Sequence, residues 1–264
     1  MLNLEDITLK VREIALSTGA FLRNERAVFN KEMVEKKHAH DYVSYVDKES
    51  ERRIVKELHE LLPQAGFIAE EGSANYLNEE YCWLIDPLDG TTNFIHDNAP
   101  YCVSIALRNR EEILIGVVYE VCRNELYWTY KGSKSYLNGK EINVSNVDNL
   151  SDAFIALGFP YNHEKYKSLA EYIVHELYGN VGGLRLQGAA AAELCYVATG
   201  RFEARIEGFL GPWDIAAGSL IVKNAGGRVT NFSGGDDFYN GREVLATNSI
   251  IHNQILNLLK ESNK

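Results

Sequence analysis

Nothing in the 264-residue chain is an uninterrupted apolar run long enough to span a bilayer, and residues 1–10, which carry Glu5 and Asp6, are neither basic nor apolar. The expectation is a soluble, cytoplasmic protein with no secretory leader and no membrane contact. There is no C-x-x-C, and Cys82, Cys102, Cys122 and Cys195 have no histidine at zinc spacing, so they read as small buried apolar residues. The pattern G-x-x-x-x-G-K-[ST] is missing, which excludes a P-loop. Positive charge is scarce: 27 Lys and Arg against 37 Asp and Glu leave a formal net charge of −10. Such a surface repels nucleic acid and anionic membranes at long range. A phosphorylated small substrate would then need local positive charge, which a metal can supply. Asn143, Asn149 and Asn231 each begin an N-x-S triplet, chance matches in a chain without a leader.

With 45% hydrophobic residues the chain can bury a sizeable core, as one large domain or two closely packed halves. Leu4, Ile7, Val11, Ile14, Thr18 and Phe21 recur at helical spacing and predict a helix to about Arg26. The segment "KKHAHDYVSYVD" reads as a loop and a short extended stretch ending at Asp47. Asp47 opens a second helix with Ile54, Leu58 and Leu61 inward and Pro63 beyond its end. Strand patterns follow in "GFIAEEG", "YCWLIDP" and a meander from Val103 to Gly132 with turns near Asn109 and Asn124; Asn138-Gly139 signals a hairpin. Later come a strand at Ala153–Leu157, helices at Glu164–Tyr178 and Gly188–Ala198, and a strand at Phe202–Ile206. Helices at Pro212–Ala225 and Ile250–Lys260 complete the pattern. No internal repeat, low-complexity tract or long linker interrupts it, so a boundary near Val144, between 1–144 and 145–264, would be a packed one.

The stretch "WLIDPLDGTTNF", residues 83 to 94, sets Asp86 and Asp89 three residues apart at the end of an apolar run. Carboxylates there carry a large desolvation cost unless paired, hydrogen-bonded or bound to a cation. Pro87 stops any helix, and Asp-Gly-Thr-Thr gives a tight turn whose amides and hydroxyls can face one point, where a phosphate could sit beside a metal. As ordinary turn and cap residues the two aspartates need no ligand, and both readings stand on this stretch alone.

Two further acidic features share the context. Glu70 and Glu71 follow "GFIA", and Asp214 stands in "PWDIAAG" at a helix start. Strand ends on one sheet edge would bring Glu70 to Asp86, and a helix N-terminus could deliver Asp214. Oxygen ligands with no cysteine or histidine beside them suit magnesium, manganese or calcium. An EF-hand is excluded, because its third and fifth positions would be Leu88 and Gly90.

Together "AEEG" at 69–72, "DPLDGTTNF" at 86–94, "GFPY" at 158–161, "GAAA" at 188–191 and "WDIAAGSLIVKNAGG" at 213–227 resemble the inositol monophosphatase family of metal-dependent, lithium-sensitive phosphatases, in order over nearly the whole chain. The resemblance implies an α/β fold, a layered αβαβα sandwich shared with fructose-1,6-bisphosphatase, with an N-terminal α+β half, a C-terminal α/β half and the site between them. It implies two or three Mg2+ ions, Mn2+ being possible. Glu70, Asp86 and the Leu88 carbonyl resemble the ligands of one site, and Asp86, Asp89 and Asp214 those of a second; a weaker third leans on Glu70 and water. Thr91 with Glu70 resembles the pair that orients the attacking water. Asp89 and the amides of Gly90 and Thr91 resemble substrate and phosphate contacts. Asp47 resembles a residue bonded to Thr91, and as an N-cap it has an equally good local role. Lys36 or Lys37 would help neutralise the site, and Glu71 is either a supporting residue or an exposed one.

The same resemblance bears on the substrate. Thr92-Asn93-Phe94 follows the inositol monophosphatase form. Glu207, seven residues before Asp214, matches a carboxylate that accepts hydrogen bonds from ring hydroxyls, although a glutamate before Gly208 could equally face water. Gly188, Ala189 and Ala190 open a helix whose amides can contact substrate; Ala189 stands where relatives often carry a hydroxyl, which argues against a narrow substrate range. The expected activity is Mg2+-dependent hydrolysis of inositol monophosphate by metal-activated water, in a homodimer. The alternatives are a fructose-1,6-bisphosphatase, a 3'(2'),5'-bisphosphate nucleotidase, or a moonlighting partner of the transcription machinery.

Overall fold

A computed structural model describes residues 2–29, 35–38, 41–73, 76, 78–159 and 163–261. Helix α1 (Leu4–Val28) starts where the Asn3 side chain accepts from the Asp6 amide, and it buries Val11, Ile14 and Leu22 as the period predicts. Where a loop and an extended stretch were expected, β1 (Glu35–His38) and β2 (Asp41–Val43) pair as an antiparallel hairpin. The side chains of Lys36 and Lys37, like Pro160 and Tyr161 of "GFPY", lie outside the described residues. Helix α2 (Tyr45–Leu61) corrects a second expectation: its N-cap is Ser44, and Asp47 sits in the first turn, returning a bond to the Ser44 amide as the far half of a capping box.

Strand β3 (Ala65–Ala69) runs parallel to β4 (Tyr81–Asp89). The short helix α3 (Thr91–His96) follows where only a turn was foreseen. The meander appears as β5 (Cys102–Arg108), β6 (Ile113–Glu120) and β7 (Glu125–Tyr130), and Asn138-Gly139 joins β8 (Tyr136–Leu137) to β9 (Lys140–Glu141). These seven strands form one sheet in the order β3-β4-β5-β6-β7-β8-β9.

After a 3-10 turn at Leu150–Asp152 the chain gives β10 (Phe154–Leu157), α4 (His163–Leu177), β11 (Gly183–Arg185), α5 (Ala190–Ala198) and β12 (Ala204–Gly208). Then come α6 (Pro212–Asn224), β13 (Arg228–Thr230), α7 (Phe238–Gly241), β14 (Glu243–Thr247) and α8 (His252–Glu261). The second sheet has the order β11-β10-β12-β14-β13. The sequence pattern shows neither β11, β13 nor β14, and it starts α5 two residues early: Gly188 and Ala189 precede the helix, with Ala189 as its N-cap.

The elements stack in five layers, αβαβα. Helices α1 and α2 cover the outer face of the seven-stranded sheet, where Leu22, Ile54 and Leu58 pack with Trp83, Ile105 and Val117. Helices α5 and α6 fill the middle, with Leu194, Ala217 and Ile221 between Ala106 and Val118 of one sheet and Ala246 of the other. Helices α4 and α8 close the far side, where Leu177, Ile255 and Leu259 meet Ile155, Ile206 and Leu245. Both sheets therefore present a face to the α5–α6 layer. Among the described residues no helix is long and apolar enough to cross a membrane.

Candidate active site

In a regular strand, residues three apart point to opposite faces. Here Asp86 pairs with Ser104 and Asp89 with Cys102, so three steps on β4 match two on β5. One extra residue makes a bulge, and the bulge returns both aspartates to the same face. Parallel pairing sets Ala69 opposite Ile85, and the Glu70 amide donates to the Ile85 carbonyl at 3.1 Å, which brings Glu70 alongside Asp86. The chain then turns at Gly90, with φ +89°, where a Cβ would meet the Pro100 carbonyl oxygen at 2.9 Å. Only glycine suits both constraints.

That turn starts α3 and presents Thr91. Its hydroxyl lies 3.0 Å from Asp47 Oδ1 and 3.0 Å from the Leu88 carbonyl, so its proton is committed between two acceptors and its lone pairs are left to accept. The Ser44 hydroxyl donates to Asp47 Oδ2 at 2.6 Å. Burial pushes the Asp47 carboxyl up, and the Ser44 and Thr91 bonds act against that. The two roles foreseen for Asp47 thus merge: one oxygen serves the helix start and the other holds Thr91. A second buried carboxylate of α2, Glu51, accepts from the Glu71 and Ser73 amides at 2.7 Å each and pins the loop that follows Glu70.

Helix α5 aims its N-terminus at Asp89, whose two oxygens accept from the Ala190 amide at 3.0 Å and the Ala191 amide at 2.7 Å. Cys102 Sγ donates to the same carboxylate at 3.3 Å. Of the three amides foreseen as substrate contacts, at Gly188, Ala189 and Ala190, that of Ala190 is thus engaged by Asp89. Helix α6 delivers Asp214 in its first turn, with the Gly211 amide donating to it at 2.7 Å.

These side chains border a cavity of about 530 Å³ lined by Glu70, Asp86, Leu88, Asp89, Gly90, Thr91, Gly188, Ala190, Glu207 and Asp214. Asp47, Glu71 and Ala189 are not in that lining; Asp47 stands behind Thr91. Burial, then repulsion from Glu70, Asp89 and Asp214, holds Asp86 well above the carboxylate range. Asp214 is pushed up to about 7 by burial and by Asp89. Burial and mutual repulsion raise the proton affinity of both Asp86 and Asp214 when no cation is present.

Glu207 lines the other side of the cavity and does not stand free. Arg205 Nη2 donates to Glu207 Oε2, and Arg205 Nε lies 3.0 Å from Glu193 Oε2 of α5, too far off axis for a hydrogen bond. Burial opposes the charge of Arg205, but Glu207 and Glu193 more than restore it and its pKa is raised. Burial likewise drives Glu193 up while Arg205 pulls it back, leaving it at about 7. With a guanidinium at 3.0 Å and the Gln187 amide donating at 2.9 Å, Glu193 is the charged partner of Arg205. A Cβ at position 158 would overlap the Glu207 carboxylate, so "GFPY" needs its glycine there.

With that geometry in place, residues 3–264 match the sequence pattern of the Inositol monophosphatase family. The chain belongs to the inositol monophosphatase family. It is 39% identical to a protein of Aquifex aeolicus named fructose-1,6-bisphosphatase/inositol-1-monophosphatase, over 96% of this chain and 95% of that one. It is 38% identical to the Nus factor SuhB of Escherichia coli over 80% of each. Among solved structures, the extragenic suppressor protein suhB of Bartonella henselae superposes with a TM-score of 0.91 at 32% identity, covering 98% of this chain and 99% of that one. Membership supports a phosphatase acting on small phosphorylated substrates.

Inositol monophosphatases are generally Mg2+-dependent, and the residues present suit that ion. Among the described residues no three acidic, histidine or cysteine side chains are already gathered to hold a metal, since Asp89 is turned to α5 and Asp214 to the start of its own helix. The donor chemistry nevertheless fits: Glu70, Asp86, Asp89 and Asp214 offer hard oxygens to one cavity, and burial and three neighbouring carboxylates disfavour the charge of Asp86. A divalent cation is the group that would reverse that.

Arg205, Glu193 and Glu51 were not singled out from the sequence. The signal for Arg205 was there, since Glu203, Arg205 and Glu207 alternate with the buried Ala204 and Ile206. Such alternation reads as a solvent face, whereas the layered fold turns that face inward toward α5.

Proposed function

We propose that this cavity hydrolyses phosphate monoesters of small polyols with Mg2+, inositol monophosphate foremost. The observation that carries the reading is the set of four carboxylates from two strand ends and a helix start, crowded on one cavity so that Asp86 and Asp214 are held above their usual range. Glu70, Asp86 and the Leu88 carbonyl would hold one ion, and Asp86, Asp89 and Asp214 another, the three aspartates turning from the amides they now accept from. Bound there, magnesium supplies the Lewis acidity that in-line hydrolysis of a phosphate ester needs. Thr91, its proton committed toward Asp47 and the Leu88 carbonyl, accepts from a water and with Glu70 orients it toward phosphorus. The Gly90 and Thr91 amides receive phosphate oxygens, and Glu207 accepts from hydroxyls of the polyol. The enzyme would work in the cytoplasm as a homodimer, with the cavity between halves 1–144 and 145–264.

A sugar bisphosphate is the second reading. It is supported by the double name of the Aquifex aeolicus relative. A phosphate-release assay over inositol monophosphate, fructose 1,6-bisphosphate and adenosine 3',5'-bisphosphate, with and without Mg2+, decides between them. Release from inositol monophosphate that needs Mg2+ is expected. Preference for fructose 1,6-bisphosphate favours the second reading, and no release from any ester leaves a binding role of the kind the Nus factor relatives are named for.

A further inference from the structure

Between Glu207 and Asp214 the chain does something costly. Phe209 lines the cavity with φ +68°, the left-handed region that a bulky side chain rarely occupies. Glycine would take that backbone freely, so the ring needs a reason to be there. Burial is not enough of one, because Phe209 is only partly buried. The conformation is held from outside. Arg242 donates from Nε to the Leu210 carbonyl at 2.9 Å and from Nη2 to the Phe209 carbonyl at 3.3 Å, and its own carbonyl accepts from the Leu210 amide at 3.2 Å. The same guanidinium lies 4.2 Å from the centre of the Phe209 ring, and the Tyr166 ring flanks it at 6.5 Å. A strained residue fixed by its surroundings at a cavity wall is where strain serves function.

The cavity has two chemistries. Its floor is acidic, and its other lining includes Phe209, Leu210 and the exposed Phe159 and Leu186. A cyclic polyol or sugar matches both, having hydroxyls around its edge and C–H groups on its faces. An acyclic polyol keeps no lasting flat face. We propose that Phe209 is a specificity-determining residue, its ring forming a wall against the C–H face of a cyclic alcohol while Glu207 takes the ring hydroxyls. This rests on the phosphatase reading above and adds to it a preference for cyclic over acyclic phosphate esters.

The test compares kcat/KM for inositol monophosphate and glycerol 2-phosphate, both with Mg2+, in the wild type and in F209G, F209N and F209Y. Glycine and asparagine both accept a left-handed backbone and remove the ring; tyrosine keeps it. The cyclic-to-acyclic ratio should fall about three- to tenfold in F209G and F209N, mainly through KM, and stay near wild type in F209Y. Melting temperatures should remain within about 4 °C of wild type. An unchanged ratio in the folded glycine and asparagine variants overturns the proposal while leaving the phosphatase reading intact. Loss of cooperative unfolding in both would make Phe209 a structural residue and also overturns it. Hydrolysis of neither ester by the wild type removes the phosphatase reading and this inference with it.

Discussion

Two acidic groups face one cavity and are built on opposite principles. Glu193 and Glu207 flank a buried guanidinium, so the cluster around Arg205 carries its own counter-charge. Asp86 is crowded by Glu70, Asp89 and Asp214, and Asp214 by Asp89, and burial with this repulsion outweighs the Leu88 amide that donates to Asp86 at 3.0 Å. The first group is complete as folded, suited to hold Glu207 still for neutral hydroxyls. The second is poised for a cation that folding does not provide. Charge balance thus distinguishes the side of the cavity proposed to bind the polyol from the side proposed to do the chemistry.

The sharpest way to break this contrast is Asp86→Asn. Activity should fall by several orders of magnitude, since the amide cannot hold two ions, while the metal-free protein should melt a few degrees higher because a repelled carboxylate is gone. Near wild-type turnover at saturating Mg2+ would sink the assignment. Arg205→Met should do the reverse to stability, leaving the buried Glu193 and the partly buried Glu207 uncompensated and costing about 3–5 kcal/mol, read by urea unfolding. A cost below about 1 kcal/mol would show that the triad is not a paired unit. Glu207→Ala comes next: loss of charge-assisted contacts worth about 1.5–3 kcal/mol should lower kcat/KM for inositol monophosphate about ten- to a hundredfold. A nitrophenyl phosphate, with no ring hydroxyls, should suffer far less, and equal losses would place Glu207 in the catalytic chemistry or in folding.

The smallest effect is a pH slope. Asp86, Asp89 and Asp214 have folded pKa values raised above the unfolded ones, so the stabilisation from their protonated forms is fully present below about pH 4 and is lost as pH rises through the folded values, near 7 for Asp214. The contribution of these groups to metal-free stability should therefore decline between those limits, and Mg2+ should flatten the decline. Melting curves across that range, with Mg2+ and with a chelator, read it directly; coincident curves would mean that the carboxylates do not interact with the ion.

What the sequence revealed follows from how locally each signal is encoded. The long period of α1, the asparagine turns of the meander and the Asn138-Gly139 hairpin are local, and they appear where expected. The acidic strand ends were legible because a carboxylate after an apolar run is costly wherever it sits. The bulge that turns Asp86 and Asp89 to one face depends on the partner strand and was not legible. Ser44 and Asp47 are equally good single-residue caps, so only their pairing as a capping box identifies Ser44 as the cap of α2. Strands β11, β13 and β14 span only 183–185, 228–230 and 243–247, too short for alternation to stand out. Arg205 was not legible because a strand pattern cannot say whether its polar face meets water or another layer.

The most direct test of the uncompensated carboxylates is calorimetric titration of Mg2+ into chelator-treated protein near pH 7, repeated in two buffers of different ionisation enthalpy. Carboxylates whose proton affinity is raised by burial and crowding release protons when an ion arrives. Saturable binding whose heat depends on the buffer, and which is lost in Asp86→Asn, is the predicted result. Absence of saturable heat into the millimolar range, or the same isotherm in wild type and Asp86→Asn, would contradict it.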